Sequence, residues 1–152
     1  MLILNIYMST LAKIVLDTKE VKDDISFIPL DSYSYPPDFH VTCTYKRRNE
    51  HDVEKEAVID WCEHMISSSN GNNDVDVTVD GIYQGMGTIF MKVVNTVPIV
   101  PRPASQILHI TLLVDYANDS RPKNALYALQ NNSYKLLSSF NKTYKGILVL
   151  SK

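Results

Sequence analysis

The chain has 152 residues, which is the size of one domain that can bury a core without disulfides or a bound metal. Hydrophobic residues make up 45% of it and charged residues 21%, as in an ordinary globular protein. The formal net charge of −2 gives no general attraction to nucleic acid polymers, so we expect no duplex DNA partner. We therefore expect a single domain over residues 1–152, with any anionic ligand held by local charge.

Nothing in the sequence indicates export, a membrane span or a metal site. The apolar opening, Met1 to Tyr7, lacks a positively charged segment and is shorter than a signal-peptide core or a membrane span. Cys43 and Cys62 are far apart in sequence and are expected to stay reduced. Cys62 and His64 would point about 200° apart on a helix, so they cannot bind one zinc ion together. These features predict a cytoplasmic protein with no membrane partner and no cofactor.

The first half of the chain combines strands, one irregular loop and one clear helix. A short apolar run at 11–16 predicts the first strand, and the polar residues 17–20 predict a turn after it. Residues 31–38 contain two consecutive prolines, which fit neither a helix nor the interior of a sheet. Apolar residues repeat with helical spacing over 51–68, with Trp61 on the face predicted to be buried.

The second half has more strands and a second helix. Alternating or continuous apolar sequence predicts strands at 74–80, 88–94 and 145–150. The glycine-rich stretch 81–87 predicts a hairpin or bulge. Asp119 with Pro122 predicts a helix start, and Ala125, Leu126 and Leu129 are expected on its buried face. Strand-rich halves that each hold a helix indicate an α+β fold with mainly antiparallel pairing.

Two strand-like segments carry the same polar pair. They are Phe39-His40-Val41-Thr42-Cys43 and Leu108-His109-Ile110-Thr111-Leu112. Alternate side chains on a strand share a face, so each segment presents an imidazole and a hydroxyl on one side and apolar groups on the other. One such triplet is common by chance, but two copies in clear strands favour a shared pocket. Two imidazoles suit the two proton transfers of phosphodiester cleavage.

Four residues next to the motif strands are candidates for substrate contacts. Tyr33 and Tyr35 lie in the loop that leads into the first motif strand, where they would stack on a nucleobase or pack on their own loop. Lys46 begins a basic run, residues 46–48, which is more typical of an exposed strand end than of a phosphate-attracting rim. Arg102 lies in the irregular connection, residues 98–103, that leads into the second motif strand.

The pair of His-x-Thr strands in a compact α+β chain resembles the two-histidine phosphoesterase superfamily, and both triplets match its motif in full. The resemblance implies two lobes of mainly antiparallel sheet around a central cleft, flanking helices, one motif from each lobe, and catalysis without metal. In length and in much of the sequence, including residues 9–16, the chain is similar to bacteriophage nucleases that destroy the cyclic-oligonucleotide signals of the CBASS antiviral response. A cyclic di- or trinucleotide is the substrate that this resemblance implies.

The resemblance also implies roles for the four motif residues. His40 and His109 would be general base and general acid, in an order that the sequence leaves open, and Thr42 and Thr111 would donate hydrogen bonds to phosphate oxygens. Two alternatives stay open. One is an RNA-processing phosphoesterase that acts on 2′,3′-cyclic ends or 2′–5′ linkages, and the other is a protein that sequesters a nucleotide without cleaving it. Base preference, ring size and oligomeric state cannot be read from the sequence.

Overall fold

The computed structural model describes residues 9–68 and 73–151, so the apolar opening lies outside the described residues. The strands are β1 Thr10–Leu16, β2 His40–Lys46, β3 Asp74–Gly85, β4 Thr88–Val97, β5 His109–Val114 and β6 Lys135–Ser151. The helices are α1 Thr18–Asp24, α2 Val53–Ser68 and α3 Asn124–Gln130, with a short 3-10 turn at Tyr116–Asn118. None of the helices in these ranges is long and apolar enough to cross a membrane.

The six strands form one closed barrel in the order β1-β2-β5-β4-β3-β6, and every neighbouring pair is antiparallel. The predicted α+β class with antiparallel pairing is therefore confirmed. The sheet closes on itself as a single barrel, whereas the resemblance implied two lobes around a cleft.

Apolar side chains fill the inside of the barrel. In β1, Ala12, Ile14 and Leu16 alternate with more exposed residues, and all three are buried, as the pleat of a strand requires. Burying a side chain of the size of Ile14 or Leu16 contributes about 1.5–3 kcal/mol. Helix α2 packs against β1, β2 and β6 through its buried residues, among them Val58 and Cys62. The predicted helix at 51–68 is confirmed with a start two residues later.

Residues 17–20 and residues 135–144 differ from the sequence prediction. Residues 17–20 were expected to form a turn, but they begin α1, because the Asp17 carboxylate accepts a hydrogen bond from the Glu20 backbone N–H at 2.9 Å and caps the helix. The last strand was expected only at 145–150, but β6 begins at Lys135. Of its first ten residues only Tyr144 is buried, and their pairing with β3 is what keeps them extended.

Candidate active site

The two motif strands are hydrogen-bonded neighbours in the barrel. Val41 of β2 pairs with Ile110 of β5. In an antiparallel pair the next positions place His40 opposite Thr111 and Thr42 opposite His109. The two histidines are then diagonal neighbours, which lie roughly 7–8 Å apart in such a ladder, with their Cβ atoms somewhat closer. The predicted adjacency of the two motif strands is confirmed, and we refer to this junction as the β2–β5 seam.

All four motif side chains line one open cavity of about 1040 Å³. Val41 and Ile110, the residues between them in sequence, are fully buried in the core. The polar and apolar faces of the two strands therefore separate as the alternation of side chains predicts.

The imidazole of His40 is held by an acidic side chain from the preceding loop. Its Nδ1 lies 2.5 Å from Asp38 Oδ1, and Lys13 Nζ donates to Asp38 Oδ2 at 3.0 Å. Burial acts to raise the pKa of Asp38, but the hydrogen bonds from Lys13 and His40 outweigh it and hold that pKa below its usual range. The ionised carboxylate only accepts, so Nδ1 of His40 carries a proton and Nε2 is the nitrogen left for a ligand.

The imidazole of His109 is held in a different way. Its Nδ1 donates to the backbone carbonyl of Ile107 at 2.7 Å, and its ring packs edge-to-face on Phe90 with centroids 6.3 Å apart. The side chain is buried, at 8% exposure. Burial lowers the pKa of His109; the bond to Ile107 acts to raise it, and the charge of His40 lowers it further. His109 is therefore neutral near pH 7, with an unprotonated Nε2.

A bulge in β2 decides which of its later residues reach the cavity. Ala12 of β1 pairs with Thr44, whereas the next residue, Lys13, pairs with Thr42, so Cys43 is the extra residue on β2. One extra residue exchanges the two faces of a strand beyond it. Thr44 is consequently buried, and Tyr45 lines the cavity.

The same exchange of faces places Lys46 away from the cavity. Within the basic run, Arg47 and Arg48 line the cavity, so the run contributes to a rim, but through different residues from the one that was singled out. The sequence pattern did not show this, because a bulge leaves no signature in the spacing of Val41, Cys43 and Tyr45.

The two loop tyrosines also lie elsewhere. The Tyr33 hydroxyl accepts a hydrogen bond from Gln84 Nε2 at 3.1 Å, and the Tyr35 ring packs edge-to-face on Phe39 with centroids 6.1 Å apart. Both tyrosines pack against the core, and neither lines the cavity. The loop reaches the cavity through residues 36–38, which are its two prolines and Asp38.

Arg102 lies outside the cavity and is hydrogen-bonded to a residue that lines it. Its guanidinium donates to the backbone carbonyl of Gln106, whose side-chain amide donates to the Thr42 carbonyl at 3.2 Å. Gln106 lines the cavity and Arg102 does not. The predicted substrate contact is thus replaced by a hydrogen-bonded link between the connection before β5 and the backbone of β2.

Sequence reasoning missed the contribution of α3. The helix was expected to start near Asp119 and to bury Leu126, but it starts at Asn124 and buries Ala125, Ala128 and Leu129. Leu126 is on the neighbouring face and lines the cavity together with Lys123 and Tyr127. Positions i, i+3 and i+4 share one face of a helix, so these three could have been grouped once the start of α3 was known.

Asp38 was also missed, although the sequence carried a signal for it. Asp38 lies two residues before His40, the spacing that puts two side chains on the same side of an extended chain. Lys13, in the middle of an apolar strand, is the second such signal, since a charged side chain among apolar neighbours is expected to have a partner.

The cavity lining is positive in charge although the chain is not. It holds four basic side chains, those of Arg47, Arg48, Lys55 and Lys123, and two acidic side chains, those of Asp38 and Glu50. Asp38 is paired with Lys13, and Glu50 with Lys55 at 2.7 Å. The excess of basic groups favours a ligand with negative charge.

No three metal-ligating side chains come together within residues 9–68 and 73–151. The two cysteines are buried free thiols. Burial raises the pKa of Cys43 to about 12 and that of Cys62 to about 11, so both are protonated and unreactive near pH 7.

No family model matches the chain, and no significant match was found among curated proteins or solved structures. The class of this protein is therefore defined by the geometry of its fold and of its site. It is an antiparallel barrel whose seam joins two His-x-Thr strands in one basic cavity.

Proposed function

We propose that the chain is a phosphodiesterase of the two-histidine type, which cleaves 3′,5′-linked cyclic oligonucleotides through attack by the substrate's own 2′-hydroxyl. One observation carries the proposal: two imidazoles and two threonine side chains, contributed by adjacent strands, line a single cavity. A single phosphodiester needs one group that removes a proton and one that supplies it, and this arrangement provides both next to hydrogen-bond donors.

The proposal includes the two-lobed organisation of that superfamily. In its support, β2 and β5 are joined through one residue pair, Val41 with Ile110, whereas β1 with β2 and β4 with β5 each pair over five or more positions. The seam is a narrow junction between the β1–β2 pair and the β4–β5 pair, each of which supplies one motif, and β6 connects the two pairs on the other side of the barrel through β1 and β3. A ligand at the seam would contact both.

In the proposed mechanism His109 is the general base. Its Nδ1 is committed to the Ile107 carbonyl, and burial lowers its pKa, so Nε2 is available to accept the proton of the 2′-hydroxyl. The 2′-oxygen then forms a bond to phosphorus while the bond from phosphorus to the 5′-oxygen breaks. The product carries a 2′,3′-cyclic phosphate at one end and a 5′-hydroxyl at the other.

His40 is the general acid in this mechanism. The ionised Asp38 carboxylate accepts a hydrogen bond from its Nδ1 and fixes the ring, and Nε2 would give a proton to the departing 5′-oxygen. Thr42 and Thr111 would donate to the non-bridging oxygens as charge develops there. Acid and base groups contribute about 10²–10⁴-fold in rate, and one oxyanion donor about 10²–10³-fold. These donors and the alignment of substrate are therefore needed as well.

The deciding experiment is incubation of the protein with cyclic and linear oligonucleotides, with the products identified by mass spectrometry. We expect cyclic 3′,5′-linked ribonucleotides to be opened to a 2′,3′-cyclic phosphate, and the 2′-deoxy analogue to bind without being cut. Cleavage of the 2′-deoxy analogue would show that water is the nucleophile and would refute the mechanism. Cleavage confined to linear RNA ends or 2′–5′ linkages would favour an RNA-processing enzyme, and recovery of intact ligand throughout would favour a sequestering protein.

Variants of the two histidines test the roles. His40→Ala and His109→Ala are each expected to abolish cleavage and to retain binding of the 2′-deoxy analogue, since both imidazoles line the cavity. His64→Ala, on the exposed surface of α2, is the matched control and should cleave as the parent does. Cleavage of a cyclic-oligonucleotide alarm signal in a host cytoplasm would suppress a CBASS response.

A further inference from the structure

Two groups of side chains border the seam, and each contains one leucine, one tyrosine and one basic residue. The group that we name the strand wall consists of Leu11, Tyr45 and Arg47. The helix wall consists of Lys123, Leu126 and Tyr127.

The walls lie on the two sides of the seam. Leu11 is on β1 and pairs across the sheet with Tyr45, near the end of β2, so the strand wall extends from the β1 side. Helix α3 packs against β3, β4 and β5, so the helix wall extends from the β4 side. Because the strand order is β1-β2-β5-β4, the His-x-Thr pairs lie between the walls.

The two tyrosines are exposed and the two basic groups are available. Tyr45 is 47% exposed and Tyr127 is 39% exposed, although aromatic side chains of this size are usually covered. Neither Arg47 nor Lys123 takes part in an ion pair within the described part of the chain. An exposed ring beside a cation offers a base something to stack on and a phosphate something to pair with.

We infer that the strand wall and the helix wall are two nucleotide subsites, each stacking one base on its tyrosine and attracting one phosphate with its basic residue. The inference rests on the proposed function and adds that the substrate is a cyclic dinucleotide, bound with both bases at the same time. The size of the cavity supports this, since about 1040 Å³ lies just above the ~300–1,000 Å³ range of small-molecule pockets. A mononucleotide would fill one wall only.

The test measures the affinity of an uncleavable probe, a cyclic dinucleotide that is 2′-deoxy at both sugars, by titration calorimetry. Tyr45→Ala and Tyr127→Ala should each raise Kd by about 5- to 150-fold, which is the range for loss of one stacked base. Tyr45→Phe and Tyr127→Phe keep the ring and should bind nearly as the parent does. Tyr116→Ala, in the 3-10 turn outside the cavity, is the control and should leave Kd unchanged.

The double variant separates two subsites from one. If each tyrosine stacks a different base, the two losses should add for the dinucleotide, because the groups share no partner. A nucleoside 5′-monophosphate should bind much more weakly than the dinucleotide. Arg47→Gln and Lys123→Gln should weaken the dinucleotide and reduce the salt dependence of its binding.

The outcomes keep the two proposals apart. If the parent binds the probe with the expected losses but does not cleave the ribose form, the subsites stand and the phosphodiesterase proposal fails. If the ribose form is cleaved but either alanine variant behaves like Tyr116→Ala, the two-subsite inference is overturned and the proposed function stands. Absence of any binding to the parent overturns the inference as well. Circular dichroism of each variant checks that it is folded.

Discussion

The bulge in β2 makes a sharp prediction, because it gives opposite surroundings to two threonines that the sequence presents as equivalent. Thr42 lines the cavity, whereas Thr44 is 1% exposed and its hydroxyl has no hydrogen-bond partner within the described residues. Leaving a buried hydroxyl unpaired costs about 1–3 kcal/mol. Thr44→Val replaces that hydroxyl with a methyl group of similar shape and should therefore raise the free energy of unfolding by about 1 kcal/mol.

Thr42→Val should show the reverse pattern. The change is at a solvent-accessible position, so stability should stay within about 0.5 kcal/mol of the parent. If Thr42 donates to the phosphate, loss of that donor should lower kcat by about 10²–10³-fold. Urea denaturation and steady-state cleavage of a cyclic dinucleotide measure both effects on both variants. The placement of the bulge would be refuted if Thr44→Val lost activity or if it destabilised the fold by 1 kcal/mol or more.

Three further predictions follow from packing and charge. A Cβ at Gly85 would clash with the Ser133 backbone carbonyl oxygen, so Gly85→Ala should destabilise the fold by about 1–3 kcal/mol, measured by urea denaturation. The loss should exceed that for Gly81→Ala, whose Cβ would meet side-chain atoms no closer than 3.1 Å. Burial is the main cause that lowers the pKa of His109 from 6.5 in the folded chain. Below pH 6.5 the unfolded chain therefore binds a proton at His109 that the folded chain does not bind. Stability should therefore fall with pH from about 6.5 downwards, and His109→Gln should remove that part of the slope. The pKa of Asp38 is held below 3.8, so its ionised form stabilises the fold above that pH and the contribution is lost in acid; Asp38→Asn should flatten the acid end of the same curve.

Much of the fold could be predicted because burial follows simple periods. The alternation in β1 and β3 and the helical spacing in α2 each reflect one face turned to the core. The start of β6 could not be predicted, since residues 135–144 are extended through pairing with β3 and not through an apolar pattern of their own. Closure of the sheet into a barrel depends on which strands pair at long range, and no local pattern encodes that.

The centre of the site could be predicted and its rim could not. His40, Thr42, His109 and Thr111 need only strand periodicity and adjacency to share a cavity, and both can be expected from two copies of one motif. The rim depends on where a bulge falls and on which face α3 turns inward. Both are set by tertiary packing, so the tyrosines that line the cavity are not those that the loop composition suggested.

The two motifs are close copies, yet the structure makes their histidines chemically different through the residue two positions earlier. In both, Nδ1 is bonded to an acceptor from that residue, but for His40 the acceptor is the carboxylate of Asp38, and for His109 it is the backbone carbonyl of Ile107. A carboxylate stabilises an imidazolium, whereas a neutral carbonyl in a buried setting leaves the ring uncharged. In the proposed mechanism, this difference in partner and the burial of His109 are what assign His40 as the acid and His109 as the base. Asp38→Asn would remove the carboxylate from this comparison, and the deeper burial of His109 would remain as the second difference between the two histidines.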